Sequence, residues 1–237
     1  MKYIVTLFIT LVLAVPAIAA DILPVNGWKN SAELGAVQTS GNTQTLAVDA
    51  KATLVHESDT LRHTFEAGAH NNKDRQKTTG EKYNVSLQMD WKFSELDYMF
   101  GRFGYESDRF AGFRRRMSET IGYGRELIKT DELYAKFEVG AGFRQSKIIN
   151  GPDKNDAIFR AASHTTWKIS EAAKLSEALS TEGGKNGWTS QSVTALKQKL
   201  NGNMATQISL TLDHNSKVPT NTKHLDTTTA VALVFDF

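Results

Sequence analysis

Six histidines, His56, His63, His70, His164, His214 and His224, are the side chains best suited to move protons near neutral pH. In an extended chain residues two apart share a face, so His70 shares one with Glu66. An imidazole with a carboxylate to orient it is the base-and-orienter pair that hydrolases use. His164 has the same polar-face parity, His63 falls on an apolar face, and His56 lies beside a turn. A hydrolase also needs a nucleophile, and no Gly-x-Ser-x-Gly elbow singles out a serine. His-x-x-x-His and related metal spacings are missing, and the chain has no cysteine, which excludes a disulfide scaffold and a thiolate metal site. The expectation is therefore no catalytic, metal or cofactor site.

The second candidate is cationic. Ser107 to Arg116 gathers Arg109, Arg114, Arg115 and Arg116 around Asp108, Phe110 and Phe113. Guanidinium groups suit the paired oxygens of phosphate, so these arginines are candidate contacts to lipid A phosphates or to surface polysaccharide. The competing reading is a solvated loop in which they pair with Glu106, Asp108 and Glu119. The formal net charge of the whole chain is only +2, which gives a nucleic-acid partner no support.

What must hold these residues is a set of strands. Tyr83, Val85, Leu87, Met89, Trp91 and Phe93 alternate with Asn84, Ser86, Gln88, Asp90 and Lys92. Alternation this strict means a strand with one apolar and one polar face. The pattern recurs at Leu46–Leu54, Leu133–Phe143, Thr206–Asp213 and Val231–Phe237. Weaker versions lie near 28–37, 61–70, 98–106, 117–127, 157–169, 174–181 and 188–199. The pair over 174–199 is the least regular, because Val193 and Leu196 point to opposite faces. The sum is twelve strands, and an even number puts both termini on one side.

Tight connections at Glu57–Thr60, Ser94–Asp97, Ile128–Glu132, Ser170–Ala173 and Asn201–Asn203 alternate with longer ones at 38–44, 71–81, 107–116, 145–156, 182–187 and 214–223. Short periplasmic turns and longer outer loops characterise outer-membrane barrels. Aromatic residues near strand ends (Trp28, Tyr83, Phe93, Tyr98, Tyr123, Phe143, Trp167) suit interfacial girdles. The polar face then lines a lumen carrying Glu66, Lys82, Asp90, Lys92, Arg102, Glu106, Arg125, Glu126, Lys136, Glu138, Arg144, Arg160 and Lys168. Such charges either brace the barrel as ion pairs or line a narrow polar pore. The terminal strand ends on Phe237 with Phe235 on the same face, which resembles the C-terminal signal read by the barrel-assembly machinery.

The N-terminus fits this reading. Lys2, the apolar run Tyr3–Val15, Pro16 and Ala17-Ile18-Ala19 form the three regions of a signal peptide. Cleavage is expected after Ala19, leaving residues 20–237 as the barrel. The apolar run falls short of the ~20 residues of a spanning helix.

Phe100 to Ile128 (FGRFGYESDRFAGFRRRMSETIGYGRELI), Ser40-Gly41-Asn42-Thr43 and Phe137 to Lys147 (FEVGAGFRQSK) resemble the domain-of-unknown-function family 481, whose members carry the label salt-induced outer membrane protein. The resemblance covers the mature chain. It implies an all-β, closed antiparallel transmembrane barrel of about twelve strands in an up-and-down meander, and a place in the outer membrane beside lipopolysaccharide. It implies no substrate and no catalytic residue. The expected function is a non-enzymatic outer-membrane barrel, either a structural protein of envelope or osmotic stress or a narrow channel for a small polar solute. The alternative is a lipid- or peptide-directed hydrolase in the barrel mouth.

Overall fold

A computed structural model describes residues 27–39, 45–75, 77–110, 113–218 and 223–237. The expected leader and the Ser40–Thr43 motif lie outside them. The strands are β1 (Gly27–Thr39), β2 (Thr45–Glu57), β3 (Leu61–Asp74), β4 (Lys77–Lys92), β5 (Asp97–Asp108), β6 (Phe113–Lys129), β7 (Leu133–Ile148), β8 (Lys154–Lys168), β9 (Ala173–Gly184), β10 (Gly187–Asn201), β11 (Met204–Asn215) and β12 (Leu225–Asp236). Each pairs with its sequence neighbours, and β12 pairs antiparallel with β1 to close the barrel. The meander and strand number expected from the alternation are therefore present.

The ring closes through a short seam. β1 and β12 share five paired positions, from Ser31–Asp236 to Gly35–Ala232. Phe237 extends it with two main-chain hydrogen bonds to Asn30, 2.9 and 3.0 Å long. β1 and β2 share thirteen paired positions.

The polarity of the wall is inverted relative to a water-soluble protein. Leu87, paired with Phe65 and Phe103, is 51% exposed, and Ile121 and Phe143 are 71% and 70% exposed. Asp90, Glu126 and Arg144 on the other face are buried. A largely apolar exterior is stable only against an apolar solvent, and a closed barrel leaves no strand edge unpaired in it. Leu87→Arg should destabilise the barrel by roughly 2–4 kcal/mol, as a midplane cation does. Asn84→Arg, facing an exposed part of the lumen opposite Glu106, should change stability far less. Urea titrations of both variants refolded into lipid vesicles check this; equal losses would refute the lipid–lumen assignment.

Three sequence expectations change. Tyr98 does not join an outer girdle: it is 1% exposed and faces the lumen, because β5 begins at Asp97 and its inward positions are Tyr98, Phe100 and Arg102. Arg125 leaves the lumen set. It points outward and bonds Asp97 at 2.9 Å, with Tyr123 on the same carboxylate; adjacent Glu126 takes the inward position. The longer connections shrink, since β3 and β4 run to within two residues of each other and β9 and β10 likewise. The ladder of hydrogen bonds continues past the point where apolar alternation stops.

Glycines bring the main chains of β6 and β7 close together. Inward-facing Gly122, Gly140 and Gly142 lie so close to the facing strand that a Cβ on any of them would overlap its main chain. The Phe100 ring lies over Gly122 and Gly140, and the Tyr98 ring over Gly124. Glycine lets a sheet bend sharply at such points, and an aromatic from the next strand refills the space.

Candidate functional site

The charged face of the strands meets in the lumen. At the end that carries both termini, Arg62 is the hub of a buried network. Its Nε donates to Asp90 at 2.7 Å and its Nη1 to Glu126 at 3.0 Å, with Glu57 3.9 Å away. Tyr134 donates to Glu126 at 2.9 Å. Gln88 links Asp90 to Glu138, each at 2.9 Å, and Glu138 also accepts from Tyr98 at 2.8 Å and Lys136 at 3.0 Å. Lys92 bonds Glu57, and Lys129 bonds Glu126 at 2.9 Å. Carboxylates Glu57, Asp90, Glu126 and Glu138 are thus matched by cations Arg62, Lys92, Lys129 and Lys136. Charge pairing with extra hydrogen bonds is the condition under which buried charges are tolerated, and here it is met except at the Arg62 Nη2, which has no partner among the described residues. The Arg62 guanidinium also lies 4.9 Å from the Tyr98 ring centroid, within cation–π range.

Farther from the termini the lumen is solvent-accessible. Lys51 and Glu66 face inward in mid-strand, 3.6 Å apart, yet their side chains are 48% and 38% exposed. At the opposite mouth, side chains bridge the lumen. Lys82 on β4 reaches Asp213 on β11 at 3.1 Å and Glu106 at 3.3 Å. Arg116 on β6 reaches Thr189 on β10 at 3.0 Å, and Arg144 donates to the Gly187 carbonyl at 2.7 Å. The arginines gather on one side: β5–β8 present Arg102, Arg116, Arg144 and Arg160 among the carboxylates Glu106, Glu138 and Asp156, whereas β11 and β12 present Asp213, Asp226 and Asp236, with Lys82 paired to Asp213 and Lys197 to Asp236.

The candidate pairs from the sequence are rearranged. His70 binds Asp49, Nδ1 to Oδ1 at 2.6 Å, and Glu66 is engaged with Lys51. Adjacent strands supply closer partners than positions four apart on one strand do. Among the described residues no serine or threonine hydroxyl bonds His70, and the hydrogen bond of His164 is to Thr166, at 3.0 Å. His63 and His56 face outward with Trp28, whose ring centroid is 4.7 Å from that of His56. The arginine cluster divides. Arg109 pairs with Glu81 at 3.0 Å, and Arg114 and Arg115 are exposed. Arg116 turns into the lumen, 3.7 Å from Glu106, and so leaves the surface set. Phe235 faces outward opposite Met204 and Ala32.

Arg62, Glu57 and Tyr134 were not singled out by the sequence. Period two carried back from Glu66 does place Arg62 inward, but nothing local marks it as a hub, because its partners lie 28 and 64 residues away.

A family model described as protein of unknown function, DUF481, matches residues 32–237. The uncharacterized protein YdiY of Escherichia coli (strain K12) is 26% identical over 200 residues, covering 84% of this chain and 79% of the relative. Among solved structures, an outer membrane channel from Pseudomonas putida F1 superposes with a TM-score of 0.56 at 11% identity, covering 94% of this chain and 100% of that one. The NanC porin gives 0.54 at 10% identity, covering 87% and 98%. At these identities the likeness is one of fold.

Proposed function

The chain belongs to the family of proteins of unknown function DUF481, and from that premise we propose that it is an exported outer-membrane barrel whose lumen is a narrow diffusion path for small polar solutes. The observation that carries this reading is the solvent exposure of Lys51 and Glu66, two charged side chains enclosed by the barrel in mid-strand. A wall braced only by ion pairs would leave no accessible charge at that depth.

The apolar exterior supports membrane insertion, and the tight turns beside both termini suit the periplasmic side. Exposed Arg114 and Arg115, with Arg109 near them, then sit at the outer rim, where they suit phosphates of lipopolysaccharide. The Lys82–Asp213 bridge narrows the outer mouth, and the Arg62 network narrows the periplasmic one. Between them a solute meets Lys51, Arg102 and Arg160 together with Glu66, charges of both signs, a field that favours small dipolar molecules over ions of either sign. The reading is non-enzymatic: His70 has an orienting carboxylate in Asp49 and, among the described residues, no hydroxyl hydrogen-bonded to it.

The test is conductance of purified protein in planar bilayers. The expected result is small unitary steps with little preference between cations and anions, enlarged by Lys82→Ala. Silence of both proteins, with folding confirmed by heat-modifiable gel mobility, would refute the channel and favour a bracing role.

A further inference from the structure

The outward face of β8–β10 departs from the rest of the exterior. Across most of the wall that face is apolar: Val85 and Leu87 on β4, Phe103 on β5, Ile121 on β6, and Ile208, Leu210 and Leu212 on β11, with Glu119 beside Phe103 and Phe143, and Thr227 and Thr229 beside Leu212 and Leu210, as isolated exceptions. On β8 the outward positions between Phe159 and Trp167 are Ala161, Ser163 and Thr165. The pairing continues this level to Glu177 and Thr181 on β9, either side of exposed Leu179, and to Ser190, Ser192 and Thr194 on β10. Glu177 accepts from Ser192 at 2.8 Å and also from Thr194, and Thr181 bonds Ser190 at 2.8 Å. Among the described residues no cation pairs with Glu177, and no hydrogen bond reaches the Ser163 or Thr165 hydroxyls.

These groups lie between Phe159 and Trp167, both strongly exposed, inside the belt that those two rings bracket and that lipid tails would cover. Lipid tails donate no hydrogen bonds. A carboxylate and unpartnered hydroxyls there carry an uncompensated desolvation cost. A partner protein removes that cost if its own polar groups lie at the same depth.

We propose that the outward face of β8–β10 is the interface between two copies of this chain lying side by side in the membrane. Two considerations select a second copy. A rotation axis along the bilayer normal preserves depth, so it brings this polar face against itself and not against an apolar one. A hydroxyl both donates and accepts, so a face of serines and threonines complements its own copy. The Ser163 and Thr165 hydroxyls can then donate to carboxylate lone pairs of the other copy's Glu177. Small side chains also permit the close approach that membrane interfaces use. The proposal concerns the exterior wall and stands whether or not the lumen conducts.

The chain has no cysteine, so single introduced thiols report cleanly. The experiment introduces Ser192→Cys, and Val85→Cys on another part of the wall, and treats outer membranes with a short bis-maleimide. Ser192→Cys is expected to give a product of twice the chain mass, and Val85→Cys only monomer. Separately, light-scattering mass in mild detergent should fall twofold, from dimer to monomer, in the triple variant Glu177→Leu, Ser192→Val, Thr194→Val. No cross-link at Ser192→Cys, or a cross-link to a protein of different mass, would overturn the proposal. So would a triple variant that stays dimeric. If the triple variant fails to fold, the cross-linking result decides.

Discussion

Arg62→Ala should cost about 3–5 kcal/mol of barrel stability, the loss typical when one partner of a buried ion pair is removed. Arg62 holds Asp90 and Glu126 directly and stands near Glu57. Without the guanidinium, Asp90 keeps only Gln88, and Glu126 keeps Lys129 and Tyr134. Asp90 is 1% exposed and cannot recover its hydration. Arg62→Lys should fall between, because a single ammonium cannot serve two carboxylates on different strands with the geometry of a guanidinium fork. Urea unfolding of protein refolded in vesicles measures both. A loss below about 1 kcal/mol would put the network in the class of exposed pairs and would mean that water already fills the periplasmic mouth. In bilayers the alanine variant should also widen the path, so conductance should rise as stability falls.

Gly142→Val should prevent the barrel from closing, a loss beyond about 4 kcal/mol. A Cβ at this position overlaps the Glu119 carbonyl of the neighbouring strand. Main chain is the least yielding obstacle: the two strands must separate, and the bend at β6–β7 opens. Valine adds two methyl groups to that collision. Gly101→Val is the control, because nothing lies within 4 Å of its added Cβ and valine suits an outward strand position. The readout is the fraction of refolded protein with heat-modifiable gel mobility. Normal closure of Gly142→Val would show that the bend does not depend on glycine.

The fold was legible because a barrel wall repeats one local rule. Residues 83–93 are read as a strand from their own alternation, and the register to Phe65 and Phe103 then follows from matching apolar faces. The rule fails where a side chain departs from the polarity of its face. Tyr98 and Phe100 are apolar-looking residues inside, because the inward glycines of β6 leave space that only a large ring fills. Arg125 is a cation outside, held by Asp97 at the edge of the belt. Strands 9 and 10 looked weakest for a related reason: Glu177, Ser192 and Thr194 occupy the face that should be apolar, so no alternation survives to be read. Of the network around Arg62 the sequence showed several members, Asp90, Lys92, Glu126, Lys136 and Glu138, as lumen charges, but neither its hub nor its pairing. Its bonds join residues whose proximity exists only after the strands between them have paired.

The five-position seam between β1 and β12 has a kinetic meaning. Every other strand pair joins neighbours through a connection of a few residues, so each hairpin can form on its own. The seam joins the two ends of the barrel sequence, the longest loop that folding must close, and it is repaid by the fewest main-chain bonds. It is therefore the last bond ladder to form and the first to part. Until it forms, one edge of β1 and one edge of β12 stand open with their donors and acceptors unsatisfied, ready to pair with any other strand. For this chain the demanding task of assembly is to keep two free edges apart from strangers until they meet each other. Phe237, whose main chain supplies the final two bonds of that ladder, stands at the point where the waiting ends.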